Sequence, residues 1–87
     1  MRELKENFIG KGQVKGFIFT QIKKSDNAYI YEVKAYNSLH YEVFTRKENN
    51  YYNCVSYPSN KAFGTWAKTF KKIDEAVFHF ELLTNKK

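Results

Sequence analysis

Four runs of aromatic and β-branched residues, at 14–22, 29–36, 39–47 and 51–57, follow one another with short polar breaks between them. The breaks are Lys24-Ser25-Asp26-Asn27, Asn37-Ser38 and Glu48-Asn49-Asn50. Runs of this composition favour pleated strands. A parallel crossover needs roughly a dozen residues, so breaks this short leave hairpins as the connection. The middle of the chain therefore reads as an antiparallel meander.

Register decides which side chains share a face, because a one-residue slip turns every side chain to the other side of the sheet. A two-residue Asn37-Ser38 loop sets Ala35 opposite His40 and Val33 opposite Glu42, and both faces are mixed. A three-residue loop, Tyr36-Asn37-Ser38, sets Ala35 by Leu39, Val33 by Tyr41 and Tyr31 by Val43, and that face is apolar throughout. Burial of one face selects the odd loop. A Glu48-Asn49-Asn50 loop continues the pattern, pairing Val43 with Val55 and Tyr41 with Tyr57, and Asn tolerates the left-handed conformation such loops need.

The last third differs. After Pro58 and a loop over 59–61, residues 62–70 (AFGTWAKTF) combine strand formers with Gly64, which reads as a short fifth strand or a turn. Residues 74–84 read as a helix. Asp74 is its N-cap, Ile73 staples to Phe78, and Ile73, Ala76, Val77, Phe80 and Leu83 recur on one face. Asn85-Lys86-Lys87 closes it with charge that suits the helix dipole. Residues 1–12 fit a short helix, an extra strand or a loose tail. The predicted fold is α+β: a four- to five-stranded antiparallel meander sheet over 13–70, with one C-terminal helix packed on one face. The 87 residues suffice for one small domain.

In that register the face away from the helix carries Ile30, Phe44, Tyr52 and Cys54, joined by Phe17 and Phe19 if the first hairpin loop is even-numbered. Lys15, Lys34, His40 and Arg46 are interleaved with them. Lys and Arg number 15 against 9 Asp and Glu, a net charge of +6, and 18% of residues are aromatic. An open face of rings and cations suits single-stranded nucleic acid, with rings stacked on bases and cations along the phosphates. The same rings could instead pair across strands or close a homodimer. Only Arg2 and Arg46 are arginine, and the clusters Lys23-Lys24, Lys71-Lys72 and Lys86-Lys87 lie beside turns or the chain end, as solvated lysines do. Trp66 is either a recognition residue in the loop after the only Pro or the largest core residue beneath the helix. The candidate binding residues are thus Lys15, Phe17, Phe19, Lys34, His40, Phe44, Arg46, Tyr52 and Trp66.

Catalytic signatures do not emerge. There is no Gly-rich phosphate cradle and no Ser-His-Asp order. His40, Glu42 and Arg46 are the one set a basic ribonuclease could use, and ion pairing on a strand explains them better. One cysteine, Cys54, with His40 and His79 supplies neither a disulfide nor a zinc ligand set. No catalytic residue, metal or cofactor is expected. No apolar run approaches the ~20 residues of a membrane span, and no apolar signal core follows the first residues, so intracellular residence is expected.

Several stretches together form a pattern: Tyr41-Glu42-Val43-Phe44 with Arg46, Ser56-Tyr57-Pro58, Ala62-Phe63-Gly64 with Trp66-Ala67 and Thr69-Phe70, then Ala76 and Phe80. The pattern resembles short phage and mobile-element proteins of AT-rich bacteria, which are similar to anti-CRISPR and other anti-defence inhibitors. The resemblance implies a non-enzymatic accessory protein in the cytoplasm of a bacterial host and assigns no site residues. A basic inhibitor cannot imitate DNA. The implied target is therefore a guide RNA, the nucleoprotein of an RNA-guided nuclease, or an acidic protein surface. The alternative is a stand-alone single-stranded nucleic-acid-binding protein, as a monomer or a homodimer.

Overall fold

The first three β-rich runs and the C-terminal helical period form, the fourth run, 51–57, is strand only at Cys54–Val55, and the sheet buries two faces rather than one. The computed structural model describes residues 2–59 and 62–85. Along the chain lie β1 (Asn7–Ile9), a 3-10 turn (Gly12–Val14), β2 (Ile18–Lys24), β3 (Ala28–Lys34), β4 (Leu39–Thr45), β5 (Glu48–Asn49), β6 (Cys54–Val55), β7 (Ala67–Phe70) and α1 (Ile73–Asn85). Five strands make one antiparallel sheet in the order β1-β2-β3-β4-β7, and β5 with β6 forms a separate two-stranded ribbon. The fold is α+β, with the single helix packed over β3, β4 and β7. Of the alternatives for residues 1–12, the chain uses an extra strand, β1, at the sheet edge.

The β3–β4 hairpin corrects the expected register. Lys34 pairs with Leu39, Val33 with His40, Tyr31 with Glu42 and Tyr29 with Phe44. The connection is the four-residue segment Ala35-Tyr36-Asn37-Ser38, closed by the Ala35 N–H donating to the Ser38 carbonyl at 2.9 Å. This parity is the one that mixes His40 and Glu42 with apolar neighbours. It is viable because both sheet faces are covered at the centre. The expected pairs Val43–Val55 and Tyr41–Tyr57 are also absent, because β4 pairs with β7 instead: Val43 meets Lys68 and Tyr41 meets Phe70. Residues 46–59 and 62–66 are thereby released from the sheet plane and fold back over it. The left-handed residue of the β5–β6 turn is Asn53, at φ 53°, rather than Asn49 or Asn50.

On the helix face Ala28, Ile30 and Val43 meet Ala76 and Phe80, with Tyr41, Phe70, Val77 and Leu83 around them. Small Ala at both levels lets the helix approach the strands, and Phe80 fills the remaining gap. The helix starts at Ile73, one residue before the expected start, with the Ala76 N–H donating to the Lys72 carbonyl. Asp74 therefore sits inside the first turn beside Glu75, where carboxylates complement the dipole. Phe78 is exposed, so no staple forms with Ile73. The expected closing lysines, Lys86 and Lys87, and the loop residues Asn60 and Lys61 lie outside the described residues.

The opposite face is a second core. Phe19, Tyr29, Tyr31, Val33 and Phe44 line the sheet, and Leu4, Phe8, Tyr57, Phe63 and Trp66 close over them from the N-terminal segment and the 46–66 return. Each large side chain buried here contributes roughly 1.5–3 kcal/mol. The rings expected on an open surface are therefore the interior of the molecule.

Candidate functional site

Phe44 shows the change most clearly. Its exposure is 0%, and its ring lies 4.9 Å from that of Tyr57, 5.4 Å from Tyr29, 5.8 Å from Tyr31 and 6.3 Å from Trp66. Phe19 is buried too, stacked on Phe8 at 4.6 Å. Trp66 is half-buried on this face and not beneath the helix, with the Lys47 ammonium 5.7 Å above its ring. Ile30, expected beside Phe44, faces the helix instead. Tyr52 is 67% exposed, but it sits at the β5–β6 turn, edge-on to Tyr51 and remote in register from the sheet. Cys54 is a half-buried free thiol in β6.

Arg46 is a structural clasp rather than a free cation. Its two terminal nitrogens donate to the two carboxylate oxygens of Glu3 at 2.6 and 2.7 Å, and one also donates to the Tyr29 hydroxyl at 2.9 Å. Glu48 takes two longer bonds of 3.3 Å. The Arg46 and Tyr29 hydrogen bonds hold the Glu3 carboxyl down at about 2. Burial, reinforced by the bond to Glu3, pushes the Tyr29 phenol up to about 12. The clasp ties the N-terminal segment to the end of β4. Backbone bonds extend it, from the Arg2 N–H to the Asn53 carbonyl and from the Val55 N–H to the Arg2 carbonyl.

His40 and Glu42 do share a strand face, as expected. His40 Nε2 lies 3.0 Å from one Glu42 oxygen, and the Tyr57 hydroxyl donates to the other. Burial, with the Glu42 carboxylate beside it, drives the Tyr57 phenol far above its ordinary value, so it stays a donor. Arg46 is committed to Glu3 and does not join this pair, so the three residues a ribonuclease would need are not assembled. Among the described residues, no group of His, Cys, Asp or Glu side chains could hold a metal ion. No helix among them is long and apolar enough to cross a membrane.

Four of the expected residues do come together, at the end of the sheet that holds the β3–β4 turn. Lys34 is paired with Ile18 on one side and Leu39 on the other, so the three side chains stand in a row on the helix side, beyond the helix. Ile9 extends the row through its pairing with Ile18. Around the corner, Phe17 meets Tyr36 edge-on at 6.0 Å, and the Tyr36 hydroxyl donates to the Lys15 carbonyl at 3.3 Å. His40 follows Leu39 on the opposite side of β4. Lys15, Phe17, Lys34 and His40 thus mark one region, to which the structure adds Lys11, Tyr36 (82% exposed), Ile18 and Leu39. Among the described residues no lysine is ion-paired. A sequence signal for this region exists: residues 7–25 contain four Lys and no Asp or Glu, and residues 33–41 contain Lys34 and no acid.

A groove of about 850 Å³ runs between β1 and Tyr57, Pro58 and Phe63, with Phe8 and Phe19 in its floor and Lys5 and Lys11 on its rim. Its making depends on Gly10, where an added Cβ would lie 2.3 Å from the Val14 carbonyl oxygen. No protein-family model, curated protein or solved structure matches the chain.

Proposed function

We propose that the chain is a non-catalytic binding protein for single-stranded RNA, gripping its phosphates with the lysines at the β3–β4 end of the sheet. The observation that supports this reading is that Lys15 and Lys34 share the end of the sheet that holds the Phe17–Tyr36 ring pair, with Lys11 close by in the chain, no Asp or Glu over residues 7–25 and no ion pair on any of the three, although Glu32 stands two residues before Lys34 on the same face. Unpaired cations raise the local potential and attract a polyanion. An exposed ring such as Tyr36 offers one base a stacking surface. The inhibitor role implied by the family resemblance is one setting of this activity, in which the RNA is the guide of a nuclease.

The test is titration of a labelled twelve-residue oligouridylate at several salt concentrations. Three phosphate contacts on a single strand give a log–log slope of about −2, and affinity falls roughly 20-fold between 50 and 200 mM salt. The double change Lys15→Gln and Lys34→Gln should bring the slope to about −0.7. Absence of binding at 50 mM salt, or a slope unchanged by the double variant, overturns the reading.

A further inference from the structure

We propose that the outer edge of β1 accepts an extended strand from a partner protein, and that the strand carries acidic residues on either side of an apolar centre. The observation begins with backbone geometry. The Gly10 N–H donates to the Phe17 carbonyl and the Gln21 N–H to the Glu6 carbonyl, so residues 6, 8 and 10 direct their peptide groups toward β2. Alternation along the strand turns the N–H and C=O of Asn7 and Ile9 outward. Neither residue bonds through these groups to any described residue, and Ile9 is 66% exposed. The other edge of the sheet is not equivalent, because the Ala67 carbonyl on β7 is already filled by the Gly64 N–H at 2.9 Å.

The surroundings of β1 specify the occupant. An added strand places alternate side chains on the two faces of the sheet. On one face they enter the groove floored by Phe8 and Phe19, and on the other they lie beside Ile9 and Ile18. The side chains beside the middle of β1 are mainly apolar, and the one carboxylate in the groove lining, Glu42, is already engaged by Tyr57 and His40, so the centre of the incoming strand is apolar and β-branched or aromatic. The ends meet Lys5 and Lys11, which stand at either end of β1 on the groove rim. Acidic flanks complement them. A second copy of the chain is the obvious competitor, and charge disfavours it. The antiparallel register that matches Asn7 to Ile9 of the copy sets Lys5 against Lys11 of the copy at both ends, while the one acid between them, Glu6, stands opposite Gly10 and not opposite a lysine. An acidic protein strand here shares only Lys11 with the phosphate grip at the β3–β4 end, and together the two contacts would suit a nucleoprotein.

The experiment uses the full chain and two synthetic octapeptides with the same Val-Thr-Phe-Val centre, one with two Asp or Glu at each end and one with two Lys at each end. Amide spectra and hydrogen exchange are followed during titration. The acidic peptide should protect the Asn7 and Ile9 amides and bind about tenfold or more tightly than the lysine-ended one. Ile9→Pro removes an outward donor without costing a sheet bond, so it should abolish binding while the β2–β3 amides stay protected. The double change Lys5→Glu and Lys11→Glu should reverse the peptide preference. The proposal is overturned if neither peptide binds or binding leaves Asn7 and Ile9 unprotected. It also fails if the two peptides bind equally, or if Asn7 and Ile9 gain protection with protein concentration alone, which would mark self-pairing. RNA binding is read independently, so a failure here leaves the oligouridylate result standing.

Discussion

Replacing Phe44 by Ala separates a ring in the interior from a ring on a binding surface. If Phe44 stacked on a ligand base, its loss would cost about 1–3 kcal/mol of affinity and leave stability nearly unchanged. The structure places it at 0% exposure within reach of four other rings. Truncation there removes the transfer energy of the ring and leaves a cavity, for a cost of about 3–5 kcal/mol. A chain of 87 residues has only about 4–13 kcal/mol of stability in total. With an m-value of about 1 kcal/mol per molar urea, the unfolding midpoint should fall by about 3 M, or the variant should be unfolded in water. Trp66 fluorescence reports the transition, its ring being 6.3 Å from that of Phe44. Phe44→Leu keeps most of the volume and should cost about 1–1.5 kcal/mol, which keeps the series measurable. Tyr52→Ala, at 67% exposure, should change stability by no more than about 0.5 kcal/mol. A Phe44→Ala midpoint within about 0.5 M of the parent, or a Tyr52→Ala loss as large as that of Phe44→Ala, would refute the two-core description.

The Glu3 clasp should show itself in acid. Its carboxyl falls from 4.5 to about 2 in the folded chain, so the unfolded chain takes up the proton first. The stabilisation is complete above about pH 4.5, shrinks as pH falls through that value and is gone near pH 2. Hydrogen exchange at the Val55 amide, corrected for the intrinsic rate, should lose protection across that window, and Glu3→Gln should flatten the loss; an unchanged profile in the variant would remove the clasp. Gly10→Ala drives a Cβ to 2.3 Å from the Val14 carbonyl oxygen and should destabilise by about 1–3 kcal/mol or more. Gly12→Ala has open space and only its φ of +66° to contend with, so urea unfolding should show a smaller loss, about 1–2 kcal/mol. The reverse order would contradict the close approach at Gly10.

The architecture was legible where local pattern and burial agree. The first three strand runs, the two hairpin breaks between them and the helical period of Ala76, Val77, Phe80 and Leu83 appear, because composition and spacing there have one physical solution; the 48–50 break and the 51–57 run do not, since Glu48–Asn49 is itself a strand and the run is strand only at Cys54–Val55. Register was not legible, and the reason is specific. Sorting side chains by an apolar face presumes that only one face is buried. Here the helix covers Ala28, Ile30 and Val43 while the N-terminal segment and the 46–66 return cover Tyr29, Tyr31 and Phe44. With both faces apolar at the centre, polarity along a strand no longer fixes parity. What fixes it is pairing between distant residues: Glu42 with Tyr57, and Arg46 with Glu3. Neither pair has a sequence signature. The β4–β7 pairing escaped for a related reason, since it skips 21 residues and no local rule ranks it above a third hairpin.

Burying the rings also changes what recognition can rest on. A flat aromatic sheet would read bases by stacking, and its affinity would vary with the number of rings in contact. With Phe19, Phe44 and Trp66 drawn into the core, the resources left at this end of the sheet are its lysines, the exposed ring of Tyr36 and the outward peptide groups of Asn7 and Ile9. Charge and backbone hydrogen bonds are indifferent to base or side-chain identity along most of a ligand. On the proposed reading, a surface of this kind would bind with strong salt dependence and little sequence preference, and would gain selectivity only by engaging two chemistries at once. The short distance along the chain between Ile9 and Lys15 makes simultaneous engagement of a phosphate strand and a protein strand geometrically feasible. The Gly10–Gly16 turn, whose Gly16 N–H donates to the Gly10 carbonyl at 3.3 Å, is the piece of structure that holds the two together.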